Sequence, residues 1–291
     1  MQQIERGIYY EDSYLGVTLG GFVFAHGMIM IDAPLRSEDA RSWRAGLLNQ
    51  RGGTNRLLVN LDAHPDRTLG ARAMDCTIVA HQKTAQVFRN RPTIFKGQSI
   101  ETGASWETYN DAIGMRWAMP DITFTQKMSL FWGGPEIILE HHPGPAQGAI
   151  WVIIPANKVV FVGDMVVSDQ PAFLANADLA AWSEGLELLV SSYKEFLIVG
   201  GRGRPVVAES AKNQLTFIRN IAKHMERLAK RNAPPEATED LIPALLADFS
   251  FPAERHEIYW QRLRYGLYQY YARHYRPSNS LEQHRLEDSE Q

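Results

Sequence analysis

Cysteine is nearly missing from this 291-residue chain, in which Cys76 stands alone. A single thiol cannot close an intramolecular disulfide, so the fold has to be held by its core. Cys76 adjoins the apolar run Thr77-Ile78-Val79-Ala80 and reads as a small, partly buried hydrophobe. Long apolar runs are missing as well: no window approaches the roughly 18 residues of a membrane-spanning helix. The opening Met-Gln-Gln-Ile-Glu-Arg-Gly-Ile-Tyr-Tyr is no basic stretch leading into an apolar one. A soluble, cytoplasmic protein without a membrane partner is expected. Nor is there an excess of one charge, with 30 Lys and Arg against 33 Asp and Glu and a net charge of −3. That balance supplies no broad basic field, which argues against nucleic acid as a partner. Internal repeats, low-complexity segments, Gly-x-Ser-x-Gly elbows and phosphate-binding loops are also lacking, and Gly201-Arg202-Gly203 is too short to count as one.

With 45% hydrophobic residues, the chain can bury a full core, and its length suits one large domain with an appendage. The most informative stretch is Leu57-Leu58-Val59-Asn60-Leu61-Asp62-Ala63-His64-Pro65-Asp66-Arg67-Thr68-Leu69-Gly70. Its apolar start reads as a buried strand, and the alternating polar residues that follow would project from the strand end into one shared cavity. Four further segments follow a related logic. Residues 17–34 read as two strands around a tight turn, ending in Ile31-Asp32-Ala33-Pro34. His142-Pro143-Gly144-Pro145-Ala146-Gln147-Gly148 is a turn; Val159–Asp164 and Leu197–Gly203 are apolar strands that end in Gly163-Asp164 and Gly200-Gly201-Arg202-Gly203.

In this order, the five segments resemble the metallo-β-lactamase superfamily over residues 5–212. The resemblance implies an α/β fold, an αββα sandwich, with the site at one edge where loops after the strands converge. It also implies a dinuclear metal centre, with His-x-His-x-Asp-His at the first motif. Here those four positions hold Asp62, His64, Asp66 and Arg67. Pro145 takes the place of a ligand histidine, Asp164 keeps the bridging carboxylate, and Arg202 stands at the last ligand histidine. Asp62, His64, Asp66 and Asp164 are therefore the residues that could still hold a metal, whereas Arg67, Pro145 and Arg202 occupy former ligand positions. Other histidines add little: His81 matches a non-ligand position, and His141 and His142 precede the turn.

The two arginines fall where the family holds its second metal. Carboxylates such as Asp66 and Asp164, at 4 Å, would repel by about 4 kcal/mol at an effective dielectric of 20. A guanidinium relieves this, because its planar fork can grip a carboxylate and it stays charged at any relevant pH. An internal arginine-carboxylate network is expected; the alternative turns both arginines to solvent and leaves an open acidic pocket.

Two functions follow. In the first, the dinuclear site is gone, no cofactor is bound, and the chain is a non-catalytic binding or assembly subunit. In the second, it hydrolyses an ester, thioester, lactone or similar small substrate with one divalent metal, Zn, Mn or Fe, near His64, while Asp66 or Asp164 acts on the water.

After Pro205 the pattern turns helical. Leu215, Ile218, Ala222, Met225 and Leu228 form one stripe of a helix over 211–231, a second helix is expected over 238–249, and a third over 253–275. The third carries Tyr259, Trp260, Tyr265, Tyr268, Tyr270, Tyr271 and Tyr275, too many for one stripe, so it should also meet the cavity, a small-molecule ligand, a protein partner or a second copy. The expected division is a domain over 1–212, an appendage over 213–276 and a disordered tail over 277–291. The segment 88–124 shows no sustained periodicity and reads as an insertion, either over the cavity or as a surface excursion.

Overall fold

Strands such as Gly27–Ile31 and Val159–Val167 are apolar at nearly every position, which requires cover on both faces. The computed structural model, which describes residues 1–50, 52–97 and 101–276, supplies that cover with two sheets packed face to face and helices outside each. The first sheet runs in chain order through β1 (Gln2–Glu5), β2 (Ile8–Glu11), β3 (Leu19–Phe24), β4 (Gly27–Ile31), β5 (Asn55–Val59), β6 (Thr77–His81) and β7 (Ile122–Phe124). Its first four strands pair antiparallel, and β4 to β7 pair parallel. The second sheet has the order β12, β11, β10, β9, β8, from β8 (Lys127–Leu130), β9 (Ile137–His141), β10 (Ile150–Ile154), β11 (Val159–Val167) and β12 (Leu197–Arg202). Only β11 and β12 pair parallel there.

Phe22, Ile29, Val59, Leu139, Val152 and Phe161 fill the space between the sheets. Trp43 and Leu47 of α1 (Ser37–Leu48) cover the outer face of the first sheet against Met28, Met30 and Leu58. On the second sheet, α4 (Leu179–Ser192) and α5 (Ala208–Lys230) bury Trp182, Leu186, Ile218 and Met225 against Trp151, Val160 and Ile198. The architecture is the expected αββα sandwich, with α2 (Pro65–Thr68) and α3 (Gln82–Asn90) following β5 and β6.

The appendage differs in detail from the periodicity. α5 begins at Ala208, ahead of residue 213, and its stripe belongs to the same apolar cluster as the second sheet. Where one helix over 238–249 is expected, a 3-10 turn over Pro235–Leu241 leads into the short α6 (Ile242–Leu246). Pro243 explains the break: lacking an N–H, it fits only a first helical turn, so it restarts the helix. The last helix, α7, runs His256–Tyr275 and places Tyr259, Leu263, Leu267 and Tyr271 in that cluster. The tail over 277–291 lies outside the described residues.

Candidate functional site

The loop after β5 is where the charged residues gather. His64 is the N-cap of α2, its Nδ1 accepting the Asp66 backbone N–H at 3.2 Å, with Pro65 filling the first helical position. This cap turns Asp66 and Arg67 inward, and both are fully buried. Asp164 arrives from mid-β11. Gly163 adopts a left-handed φ of 58° where the pairing with β12 shifts register, an irregularity that re-aims the next side chain. Arg202 ends β12 and is 2% exposed.

Both arginines lie among carboxylates. The Arg67 guanidinium donates to Asp164, with Asp32 Oδ2 at 3.4 Å and Asp62 Oδ1 also at 3.4 Å. Arg202 Nη1 donates to Asp66 Oδ2 at 2.8 Å and to the Gly16 carbonyl at 2.5 Å, and its Nε lies 3.3 Å from Asp164 Oδ1. Asp164 thus faces both guanidiniums, while the remaining acceptor capacity of Asp66 is taken by the backbone N–H groups of Ser105, at 3.1 Å, and Trp106, at 2.7 Å. The segment 88–124 thereby closes over the site through its main chain. No side chain fits at Gly201, where a Cβ would lie 2.2 Å from Asp164 Oδ1 and 2.6 Å from Arg67 Nη2.

The electrostatics divide the aspartates. Burial alone would raise Asp66 and Asp164, but the facing arginines outweigh it and hold both below the usual carboxylate range. Burial wins at Asp32, pushed up to about 7, and it raises Asp62 as well. His64 is pushed down to about 3 by burial, with the Arg202 cation adding to the effect. Its neutral ring accepts at Nδ1, so the proton sits on Nε2, which has no protein partner among the described residues.

This has a consequence for acid stability. Between pH 6.5 and about 3 the unfolded chain binds a proton at His64 that the native protein refuses, so native stability falls with acidification by up to about 1.4 kcal/mol per pH unit. Asp32 opposes it, because its raised value makes the native form bind more protons between 3.8 and about 7. In His64→Asn, whose side-chain oxygen can still cap α2, only the His64 contribution is removed. Urea midpoints from pH 4.5 to 7.5 should show the variant gaining on the parent protein as pH falls; a constant difference would contradict the assignment.

Of the residues marked out by sequence, Asp62, His64, Asp66, Arg67, Asp164 and Arg202 come together, whereas Pro145 lines the outer wall of an adjoining cavity of about 290 Å³. His81 and His141 stack on one another at 3.8 Å, and His142 stacks on Trp151. Among the described residues, no group of three or more His, Cys, Asp or Glu side chains is arranged to hold a metal ion. The donor chemistry agrees, since two guanidiniums already occupy the space among these carboxylates. The residues present do not fit a dinuclear centre.

Sequence reasoning missed four participants. Asp32 is the third carboxylate on Arg67. The Phe173 ring lies between Arg202 and Arg262, at 4.6 and 4.1 Å. Arg262 comes from α7, 2% exposed, and Arg91 from the end of α3. Arg262 had a legible signal: it falls on the buried stripe Tyr259, Leu263, Gly266, Tyr270, where a charge demands an internal partner.

The family description "Metallo-beta-lactamase superfamily" matches residues 64–218. Metallo-beta-lactamase type 2 of Pseudomonas aeruginosa is 21% identical over 213 residues, 68% of this chain and 75% of the relative. Among solved structures, a metallo-beta-lactamase from Pontibacter korlensis superposes with a TM-score of 0.58 at 18% identity, covering 75% of this chain and 98% of that one. The stereoselective inverting sec-alkylsulfatase from Pseudomonas sp. gives 0.65 at 14% identity, covering 96% of this chain and 51% of that one. At such identities the likeness carries the fold alone.

Proposed function

Because the chain belongs to the metallo-beta-lactamase superfamily, we propose that it is a member in which Arg67 and Arg202 stand in for metal charge and which works as a small-molecule-binding protein rather than as a metal-dependent hydrolase. One observation carries this reading: the Arg67 guanidinium, 0% exposed, sits within ion-pair reach of Asp32, Asp62 and Asp164 at once. A cation entering there would have to expel a permanent charge already paired with the carboxylates it needs. His64 supports the reading, since its Nδ1 is committed to the Asp66 N–H and to Arg202 Nη2 at 3.3 Å.

Binding is favoured over assembly by how α7 is used. Tyr259, Tyr270 and Tyr271 are buried in the chain's own core and Tyr265 lines the cavity, leaving Tyr268 as the exposed aromatic of that helix. The test is elemental analysis of protein purified without chelator, with melting curves in Zn²⁺ or Mn²⁺ and in EDTA. Less than about 0.1 equivalents of transition metal and unmoved melting curves are expected, since a ligand at 100 times its dissociation constant would add about 2.7 kcal/mol. Near-stoichiometric metal, or a melting temperature that rises with the ion and falls with EDTA, would return the protein to the single-metal hydrolase reading.

A further inference from the structure

The cavity beside the network has a charge pattern that the network does not use. Its floor is Asp62 and Asp164, both already facing Arg67. Its walls carry three further arginines: Arg273 is exposed and donates to the Ala175 carbonyl and Asn176 Oδ1, and the other two are Arg91 and Arg262, neither within 4 Å of a carboxylate among the described residues.

Arg91 and Arg262 are both held in place by neutral groups. Arg262 donates Nε and Nη2 to the Gly103 carbonyl, at 3.1 and 2.8 Å, and Nη1 to Gln170 Oε1 and the Pro171 carbonyl, both at 2.9 Å. The rings of Phe173 and Tyr259 flank it at 4.1 and 5.1 Å. Arg91 donates Nη1 to the Ala63 carbonyl at 2.8 Å and lies over Trp117 at 4.7 Å, with its Nε and Nη2 without a protein partner among the described residues. Carbonyls and ring faces orient a guanidinium but leave its charge uncancelled. Burial pushes Arg262 down to about 9 and Arg91 to about 10, so both remain cationic at neutral pH.

The charge sum runs the same way. Arg67, Arg91, Arg202 and Arg262 face Asp32, Asp62, Asp66 and Asp164, and Asp32 keeps its proton up to about pH 7. Below that pH the cluster carries at least one positive charge in excess. The third donor is the Nε2–H of His64, whose ring lines the same cavity against Phe173.

We propose that this cavity is a binding site for a small organic anion, whose oxyanion group is taken by Arg91, Arg262 and the Nε2–H of His64 while its short apolar body lies against Trp106, Phe173 and Leu174. The assignment rests on the binding reading above and names its ligand class. Arg262 comes from α7, beyond residue 218, where the family match ends, so the anion site belongs to this chain's appendage as much as to its sandwich. A cavity of about 290 Å³ is at the small end for organic ligands, which limits the body to a few carbons.

Isothermal titration calorimetry on the full chain tests this with hexanoate, hexyl sulfate and hexyl phosphate as probes, and hexanol, hexylamine, inorganic sulfate and inorganic phosphate as references. At least one hexyl anion should bind at millimolar concentration or tighter, and hexanol and hexylamine at least about tenfold more weakly. The three head groups distinguish carboxylate from sulfate from phosphate. Arg91→Gln, at a half-exposed wall position, should weaken binding by about ten- to a hundredfold, the worth of a hydrogen bond to a charged group. Arg262→Gln should do the same, and if it fails to fold, Arg91→Gln and a loss of affinity with added salt carry the test. No binding by any hexyl anion, equal binding by hexanol or by the inorganic ions, or affinity unmoved by Arg91→Gln would each overturn it. Metal content is read separately: a metal-free protein without anion affinity overturns this site and leaves the charge-replacement reading intact.

Discussion

Arg67→Met will destabilise the protein by on the order of 3–5 kcal/mol, the usual result of deleting one partner of a buried ionic group. Methionine fills a similar volume, so the loss reports charge more than packing. Without the guanidinium, Asp32, Asp62 and Asp164 face one another with Arg202 as the remaining nearby cation. The deficit should also depend on pH. Asp32 and Asp62, left without a cation, and Asp164, left with Arg202 alone, acquire raised values relative to the parent protein, so the native variant binds more protons and its deficit grows as pH rises from about 4 to 8. Arg67→Lys should recover part of the loss, because an ammonium restores charge but cannot span three acceptors from one plane. Urea unfolding of the three proteins at pH 5 and pH 8 is the measurement. A deficit below about 0.5 kcal/mol, or one that does not change with pH, would mean that the carboxylates are neutralised by something other than Arg67.

Arg202→Ala should cost a comparable amount, on the order of 3–5 kcal/mol, with a different signature. Its guanidinium holds Asp66, Asp164 and the Gly16 carbonyl and stacks on Phe173, so its removal opens a polar space beside two carboxylates held below their usual range. A divalent ion can enter that space. Unfolding of Arg202→Ala with and without Mn²⁺ or Zn²⁺ should therefore show part of the loss recovered by the ion, whereas the parent protein is unaffected. Restoring histidine together at positions 62, 67, 145 and 202 should go further and create measurable metal binding, limited by any reshaping of the loop around Pro145. If Arg202→Ala loses no more than an ordinary surface substitution, the charge-replacement argument fails.

Much of this was legible in the sequence, for local reasons. The strand β11 is a nine-residue apolar run buried throughout, and β5 leads into a loop whose polar residues alternate, so both could be read from period alone. Asp66 and Asp164 as partners of the arginines followed from charge, because a buried guanidinium needs carboxylates and these were the ones the motif order brings near, whereas Asp32 and Asp62 on Arg67 did not. What stayed hidden depends on long-range placement. Ser105 and Trp106 reach Asp66 through backbone N–H groups, which leave no trace in residue type. Phe173 is one aromatic in an irregular segment, and only packing shows that it separates two arginines. The insertion around Phe95, Trp106 and Trp117 makes its own apolar cluster from side chains without regular spacing, so periodicity could not separate a cavity cover from a surface excursion.

The network also bears on how the protein is lost as well as how it is held. Three of its bonds join residues 97, 136 and 186 positions apart, so each closes a long loop and brings together groups from both sheets. Contacts of that kind, whose loop-closure cost comes before their reward, are expected to form on the native side of the folding barrier. Interactions absent from the transition state act on the rate of escape, so the buried charges serve as a latch whose strength sets the lifetime of the native state while leaving the speed of folding nearly untouched.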